Sequence, residues 1–455
     1  MTRKTNRRSP KTSRQIAFSV LDTHKLSGEF ASTLIEAAFK RNVDERTERS
    51  LVIELTYGII RRQRTLDTVL GTLISRPRQR VEPQLWTLLQ IGVYQLLFTR
   101  VPPHAAIFET VELAKWLGQK RWASFMNGVL RSAQRLVSDE TTAEPSTSAI
   151  PIDGGIYQIL NQEIFDCPVE RPADYFGQAF SFPGWIARRW SSRLPVDQLW
   201  PLGFWCNSRP PVCLRVNSLK TTRDELVKSL QAADIEPIVD EEHQDFVTLQ
   251  DSVAVPSLPG FDEGHFIVQD RSAISASKLL APKPNEKILD LCAAPGTKTT
   301  HLAELMNNQG SVIASDDDPV RLPRIHQNCE RLGIDIVNAC LVNELEETDF
   351  DAALIDVPCS NTGVLGKRPE VRWRLKSEEL SELSETQLML VDSAARHIKP
   401  GGRMVYSTCS IEPEENDDVV SRFLEANDDW TLAEKVSHFP GKPGDGAFQA
   451  LLVRR

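Results

Sequence analysis

The alternation of apolar and polar positions changes character several times along this chain. From Gln15 to about Val137 it is helical: Leu51, Leu55 and Ile59 fall four apart, and Leu85, Leu88, Leu89, Gly92 and Leu96 recur on one face. This predicts an all-α domain over 15–137, punctuated at Pro102-Pro103 and Gly118. The period is then lost. Ser138 to Gly155 is rich in small polar residues, and a linker or insertion is expected over 138–171. Helical character resumes from about Pro172 to Pro201, with Trp185, Trp190 and Trp200. The run Val212-Cys213-Leu214-Arg215-Val216-Asn217 then reads as a strand entering a small mixed α/β unit, so 172–269 is expected to form a helical and α/β subdomain.

From 270 to 455 short apolar strands alternate with amphipathic stretches. The expected strands are Lys287–Leu291, Ser311–Ala314, Ala352–Ile355 and Arg403–Tyr406, and the expected helices lie near 298–306, 319–332, 380–397 and 414–426. Such alternation implies a mostly parallel sheet covered on both faces, with ligands at the carboxyl ends of its strands.

Charge adds a second division. The chain of 455 residues carries a net charge of −9, yet residues 1–137 hold 23 basic against 11 acidic side chains, or +12, which leaves −21 for the rest. A basic end on an acidic protein points to a part that meets phosphate, such as RNA, and a part with another task. Residues 1–14 hold six basic side chains and no acidic one, and read as a basic disordered arm. No apolar run has the length needed to span a bilayer, and the N-terminus lacks the apolar segment of a secretory signal. A cytoplasmic, reducing location is expected, with the eight cysteines as thiols. Their spacing contains no CxxC pair and no His/Cys cluster, so no metal site is expected.

Two sets of residues carry candidate chemistry. Asp290-Leu291-Cys292-Ala293-Ala294-Pro295-Gly296-Thr297-Lys298-Thr299 follows the first strand and opens a helix, where small residues let backbone N–H groups approach an anionic ligand. Asp316 ends the next strand, in the position of an acid that holds ribose hydroxyls. The chain lacks GxGxxG and GxxxxGK[ST], which argues against a dinucleotide or a nucleoside triphosphate and leaves S-adenosylmethionine as the expected cofactor. The second set is Asp356-Val357-Pro358-Cys359-Ser360 and Tyr406-Ser407-Thr408-Cys409-Ser410, each directly after a strand, so that two cysteines and an acid face one crevice. A thiolate there suits attack on carbon 6 of a cytosine ring, which turns the inert carbon 5 into an acceptor for a methyl cation. Asp356 is the candidate acid for ring nitrogen 3, as a carboxyl with a raised pKa in a dry pocket. A second cysteine near the adduct suits the step that breaks the thioether.

These motifs are similar to those of the Nol1/Nop2/Sun family of RNA cytosine-5 methyltransferases: Asp290–Thr299, the run from Asp356 to Gly363, and Ser407-Thr408-Cys409-Ser410 with Pro413-Glu414-Glu415-Asn416. Val101-Pro102-Pro103-His104-Ala105-Ala106 and Asn127-Gly128-Val129-Leu130-Arg131 resemble the NusB-like RNA-binding domain that precedes the catalytic domain in bacterial 16S rRNA members. Leu214-Arg215-Val216-Asn217 and the run from Val268 to Ala273 resemble the segment leading into that domain. The resemblance implies an all-α NusB-like domain, a small α/β unit and a Rossmann-like class I methyltransferase domain over 270–455. It implies Cys409 as nucleophile, Cys359 as the residue that promotes product release, and Cys292, Ala293, Ala294, Pro295, Gly296, Thr297, Lys298, Asp316, Arg321, Asn343 and Asp356 around the cofactor. It also implies 16S rRNA or a small-subunit precursor as partner. Two positions depart from the family pattern: Thr297 replaces a usual second glycine, and Asn343 stands where an acid commonly faces adenine. A DNA cytosine-5 methyltransferase, which attacks from a Pro-Cys motif, and an RNA-binding assembly factor without activity are the competing readings.

Overall fold

The computed structural model describes residues 12–40, 48–240, 244–250, 254–346, 348–441 and 444–455. They fall into two units, residues 1–208 with 372–374, and residues 209–371 with 375–455.

The first unit opens with helices α1 (Ser13–Ser27), α2 (Ala31–Lys40), α3 (Arg49–Arg61), α4 (Gln63–Leu73), α5 (Pro83–Phe98), α6 (Pro103–Trp116) and α7 (Ala123–Leu136). Of these, α5 is apolar around most of its circumference and buries Leu85, Trp86, Leu88, Leu89, Ile91, Val93, Tyr94 and Leu97, which makes it the central helix. At Gly92 an added Cβ would lie 2.5 Å from a Leu130 methyl, so glycine is what lets α7 approach this closely. The expected disordered arm is corrected at its end: Thr12 caps α1 in a capping box with Gln15, Ser13 and Arg14 are helical, and Arg14 Nε donates to Gln95 Oε1 at 2.8 Å. The remaining arm residues, 1–11, lie outside the described residues.

The expected linker is also corrected. Strands β1 (Val137–Thr142), β2 (Ala149–Pro151) and β3 (Tyr157–Leu160) form an antiparallel sheet in the order β1-β3-β2. Its polar residues belong to β1, which lies at one edge of the sheet, and to the turns. Ala149, Ile150, Tyr157 and Leu160 are buried. Tyr157 meets Phe180 and Phe204 edge-on, within an aromatic core supplied by α8 (Pro172–Ala179), α9 (Gly184–Arg193), α10 (Val196–Asn207) and the α8–α9 turn. Helices α8–α10 therefore belong to the first unit rather than to a subdomain shared with Val212 and beyond. Arg372, fully buried, also belongs here: its guanidinium donates to the carbonyls of Ser181 and Cys206 and to Asn207 Oδ1, and stacks over Phe182.

The second unit begins with β4 (Val212–Val216), α11 (Arg223–Gln231), β5 (Phe246–Leu249) and β6 (Phe266–Val268), a small sheet in the order β5-β4-β6. There follow α12 (Arg271–Leu280), β7 (Lys287–Leu291), α13 (Thr297–Leu305), β8 (Ser311–Asp316), α14 (Leu322–Leu332), β9 (Val337–Leu341) and β10 (Phe350–Asp356). After the short α15 (Val371–Arg374), of which 372–374 belong to the first unit, come α16 (Glu379–His397), β11 (Ile398–Thr408), α17 (Asp417–Ala426), β12 (Trp430–His438) and β13 (Ala447–Arg454). The large sheet has the order β12-β13-β11-β10-β7-β8-β9, in which only β13 opposes its neighbours. One face packs Val391, Ala394, Val419 and Phe423 of α16 and α17, and the other packs Ala276, Leu280 and Leu302 of α12 and α13. This is the expected order of a helical part, a small α/β unit and a Rossmann-like domain.

Arg215 of β4 joins the small sheet to α13. Its Nε and Nη2 donate to the two Glu304 oxygens at 3.2 and 2.7 Å, Nη2 also to Thr300 Oγ1, and Nη1 to Gln269 Oε1 and to the Thr297 carbonyl. Both charged side chains are buried, Arg215 at 1% and Glu304 at 4% exposure. Arg215→Ala is expected to leave Glu304 buried and unpaired, at a cost of about 3–5 kcal/mol in urea unfolding of the second unit. The double change Arg215→Met with Glu304→Leu should recover most of that loss. A single variant that melts like the parent would show that the pair carries no such constraint.

Candidate active site

Four strand ends of the large sheet, those of β7, β8, β10 and β11, bring the candidate residues to one edge. The β7–α13 turn is built for close backbone packing. Cys292 lies at φ +64° and Gly296 at φ +93°, and a Cβ on Gly296 would press on Ile325 Cα of α14 at 3.2 Å. Thr297 is the first residue of α13 and has no positive φ, so this position makes no conformational demand for the second glycine that the family pattern carries. The Ala293 N–H donates to the Ser315 carbonyl, and the Ala294 N–H donates to Asp316 Oδ2 at 2.9 Å. Arg321 reaches Asp316 Oδ1 at 3.3 Å and also donates to the Ala294 carbonyl, while Asn328 donates to the Pro295 carbonyl at 2.9 Å. The loop Cys292–Lys298, Asp316 and Arg321 thus form one assembly. Asn343 is exposed in the turn after β9, where Glu344 accepts the Leu341 N–H at 3.0 Å; Leu341 is the register partner of Asp316.

This assembly suits a cationic cofactor with several hydroxyls. Asp290 Oδ1 and Ser315 Oγ are buried and have no hydrogen-bond partner among the described residues, so acceptor capacity is unmet at the ends of β7 and β8. Burial pushes the Asp290 carboxyl up to about 7, against the hydrogen bond from Thr299 Oγ1 at 2.6 Å. Burial first, and then Asp356, also push the Cys292 thiol up, which leaves it a poor nucleophile.

The second half of the site lies at β10 and β11. Asp356 does not lie in the dry pocket expected from sequence. It is partly exposed, with Oδ2 2.6 Å from Lys298 Nζ and Oδ1 accepting from Ser407 Oγ at 3.2 Å. Burial opposes the charge on Lys298, but Asp356 beside it holds the ammonium above the ordinary lysine range. Lys298, expected only around the cofactor, therefore also sits with the acid and near Cys409. The two cysteine sulfurs are 3.1 Å apart, and Cys409 Sγ donates to Asn361 Oδ1 at 3.2 Å. The hydrogen bond with Cys409, and then burial, push the Cys359 thiol well above the ordinary range.

Beneath the sulfurs lies a network that sequence reasoning did not weigh. Glu415, fully buried, accepts the Ser360 N–H at 2.7 Å, Gln387 Nε2 at 3.0 Å and the hydroxyls of Ser360 and Ser410. Asn416 bonds Thr408 Oγ1 at 2.6 Å and donates to the Ser410 carbonyl at 3.0 Å. The acidic pair in Pro413-Glu414-Glu415-Asn416 was the available signal.

Residues 277–447 match the model described as 16S rRNA methyltransferase RsmB/F, residues 11–135 match the NusB family, and residues 182–256 match the ferredoxin-like domain of RsmF/B-like methyltransferases. Ribosomal RNA small subunit methyltransferase B of Erwinia tasmaniensis is 35% identical, over 97% of this chain and 98% of that protein. The chain belongs to the 16S rRNA methyltransferase RsmB/F family. The protein of the same name from Salmonella paratyphi B is 34% identical with the same coverage. Among solved structures, PH0851 aligns with a TM-score of 0.74 at 26% identity, over 96% of this chain and 98% of that one. A methyltransferase homologue from Pyrococcus horikoshii aligns with a TM-score of 0.54 at 27% identity, over 62% and 98%.

The Asp290 carboxyl gives a pH signature. Because its folded pKa of about 7 exceeds the unfolded value near 4, its contribution to stability is fully present below about pH 4 and is lost as pH rises through about 7. The parent should therefore lose melting temperature relative to Asp290→Asn between those limits. A constant difference across the range would mean that Asp290 does not take up a proton on folding.

Proposed function

We propose that this chain, a methyltransferase by family, methylates carbon 5 of a cytosine in 16S rRNA or its small-subunit precursor through a covalent cysteine adduct. The observation that carries this reading is the pair of thiols 3.1 Å apart at the ends of adjacent parallel strands, beside the Lys298–Asp356 ion pair. The names of the relatives, each a ribosomal RNA small subunit methyltransferase B, support the substrate. The +12 charge of residues 1–137 supports an RNA partner. Action on RNA in the cytoplasm is part of the same reading; among the described residues no helix is long and apolar enough to cross a membrane.

Cys292 to Lys298, Asp316, Arg321, Asn343 and Asp356 would hold S-adenosylmethionine. When bound, it supplies an electrophilic methyl group on a sulfonium. Cys409 is the nucleophile: its thiolate adds to carbon 6 of the cytosine, and the ring electrons move toward carbon 5 and nitrogen 3. The Lys298–Asp356 pair shares its proton with nitrogen 3, which absorbs the charge as it develops. Once carbon 5 is methylated, its proton passes to a base in the crevice or to solvent, and the electron pair left behind re-forms the 5,6 double bond and expels the Cys409 sulfur as a thiolate. Cys359, in contact with Cys409, assists that elimination.

The two cysteines should therefore fail in different ways. With an rRNA fragment and cofactor, Cys359→Ser should accumulate a protein–RNA complex on a denaturing gel, whereas Cys409→Ser should give neither complex nor product. RNA containing 5-fluorocytosine should trap the unmutated protein through Cys409, read by mass spectrometry of the linked peptide. Trapping through Cys359 would reverse the assignment.

A further inference from the structure

Two thiols in van der Waals contact are chemically alike, and the reaction needs them to differ. Their surroundings are not alike. Cys409 lies within electrostatic reach of the Lys298 ammonium and donates its Sγ–H to the Asn361 side-chain carbonyl. Cys359 precedes Ser360, whose N–H and hydroxyl both bond the Glu415 carboxylate, and Glu415 is among the charges acting on Cys359. The same carboxylate accepts the hydroxyl of Ser410, the residue after Cys409. One buried group thus grips the residue following each cysteine.

Its other contacts brace it. Gln387 of α16 donates to Glu415 Oε1 and to the Pro358 carbonyl, both at 3.0 Å, and Tyr406 of β11 donates its hydroxyl to the Glu415 carbonyl and also reaches Gln387 Oε1 at 3.1 Å. Thr362 lies 3.1 Å from Ser410 Oγ and accepts the Ile411 N–H, closing a second tie between the two loops. Burial pushes the Glu415 carboxyl above the ordinary carboxylate range, and the four donors around it oppose that push by bonding the charged form.

We propose that Glu415 is a positioning residue for methyl transfer: it sets the separation of the two cysteine loops, and its charge decides which sulfur carries the shared proton. Either sulfur could donate across their contact; with the anion behind Cys359 and the contact to Cys409 in front of it, the proton between the sulfurs stays on Cys359. The reading rests on the roles proposed above for Cys409 and Cys359. The groups that act on Cys359 are Cys409, Glu415 and the Asn361 backbone, with the Tyr406 hydroxyl also near and the Lys298–Asp356 pair reached through Cys409.

The test follows each thiol separately in the full chain. The protein is exposed to iodoacetamide at a series of pH values, and initial alkylation of the Cys359 and Cys409 peptides is read by mass spectrometry. In the parent, Cys409 should react first at every pH. In Glu415→Gln the Cys359 profile should move to lower pH, with about tenfold faster alkylation at neutral pH for each unit moved. Its kcat for methyl transfer should fall with little change in the KM for the cofactor. Ser410→Ala keeps the carboxylate and removes one donor, so Cys359 should not move to lower pH while kcat still falls; this variant decides the matter should Glu415→Gln fail to fold. A folded Glu415→Gln with an unchanged Cys359 profile, or a downward move in Ser410→Ala, overturns the proposal. The alkylation profile does not depend on which cysteine attacks RNA, and the 5-fluorocytosine trap reads that separately, so the two proposals fail independently.

Discussion

The guanidinium of Arg215 has five N–H donors, and all five are spent inside the protein on Glu304, Gln269, Thr297 and Thr300. The site depends on this constraint. The Thr297 carbonyl, held by Arg215, begins α13, and the next residue is Lys298, which reaches Asp356 at the end of β10. Asp356 in turn accepts from Ser407 on β11. A continuous line of polar contacts therefore runs from the small sheet through the first turn of α13 to the strand that Cys409 follows. Apolar residues would fill the same space at less desolvation cost, but they would not fix the rotation of α13, because dispersion contacts carry no direction.

The charge distribution at the strand ends follows a second constraint. Asp290, Asp316 and Asp356 stand at or near the ends of β7, β8 and β10, and few basic groups answer them. Arg321 takes Asp316 and Lys298 takes Asp356, while Asp290 has only the Thr299 hydroxyl as a described partner. A surplus of carboxylate in one crevice is costly unless a cation joins it or a proton is bound; at Asp290 burial gives the main upward push, and the neighbouring Asp356 and Asp316 add to it. A sulfonium is a cation without N–H groups, so it relieves such a surplus through charge alone, while its ammonium and hydroxyls supply the hydrogen bonds.

Much of this was legible in the order of residues, for identifiable reasons. Ile288-Leu289, Ala352–Ile355 and Met404–Tyr406 are apolar runs because their strands are buried on both faces, and in a parallel sheet the residues that follow such runs share one end. Strands at the margins lack that signature. β9 carries Asn338 and only partly buried neighbours, and β12 carries Glu434 and Lys435 on an exposed edge, so neither stood out as an apolar run. The same effect disguised 138–171: an edge strand as polar as Ser138 to Thr142 has the composition of a linker. Lys298 beside Asp356, and Glu415 beneath the Cys359 loop, depend on contacts across about fifty residues or more, and although the Pro413–Asn416 run marks Glu415, nothing local to either residue announces these distant partners.

Register explains why the motif spacings matter at all. Asp356 pairs with Ser407 across the parallel ladder, so Cys359 lies three residues beyond one partner and Cys409 two beyond the other. The pairing does not stop where the strands end. The Val357 N–H donates to the Ser407 carbonyl and the Gly363 N–H to the Cys409 carbonyl, so both loops remain hydrogen-bonded to each other as they carry the sulfurs. Gly363 is needed for this approach, because a Cβ there would sit 2.8 Å from the Cys409 carbonyl oxygen. A slip of one residue in either strand would turn its side chains to the opposite face of the sheet and separate the sulfurs. The spacing of each cysteine from its strand, the glycine that follows Cys359 and the carboxylate beneath both loops thus describe one geometric condition: two thiols brought into contact by adjacent strands in fixed register.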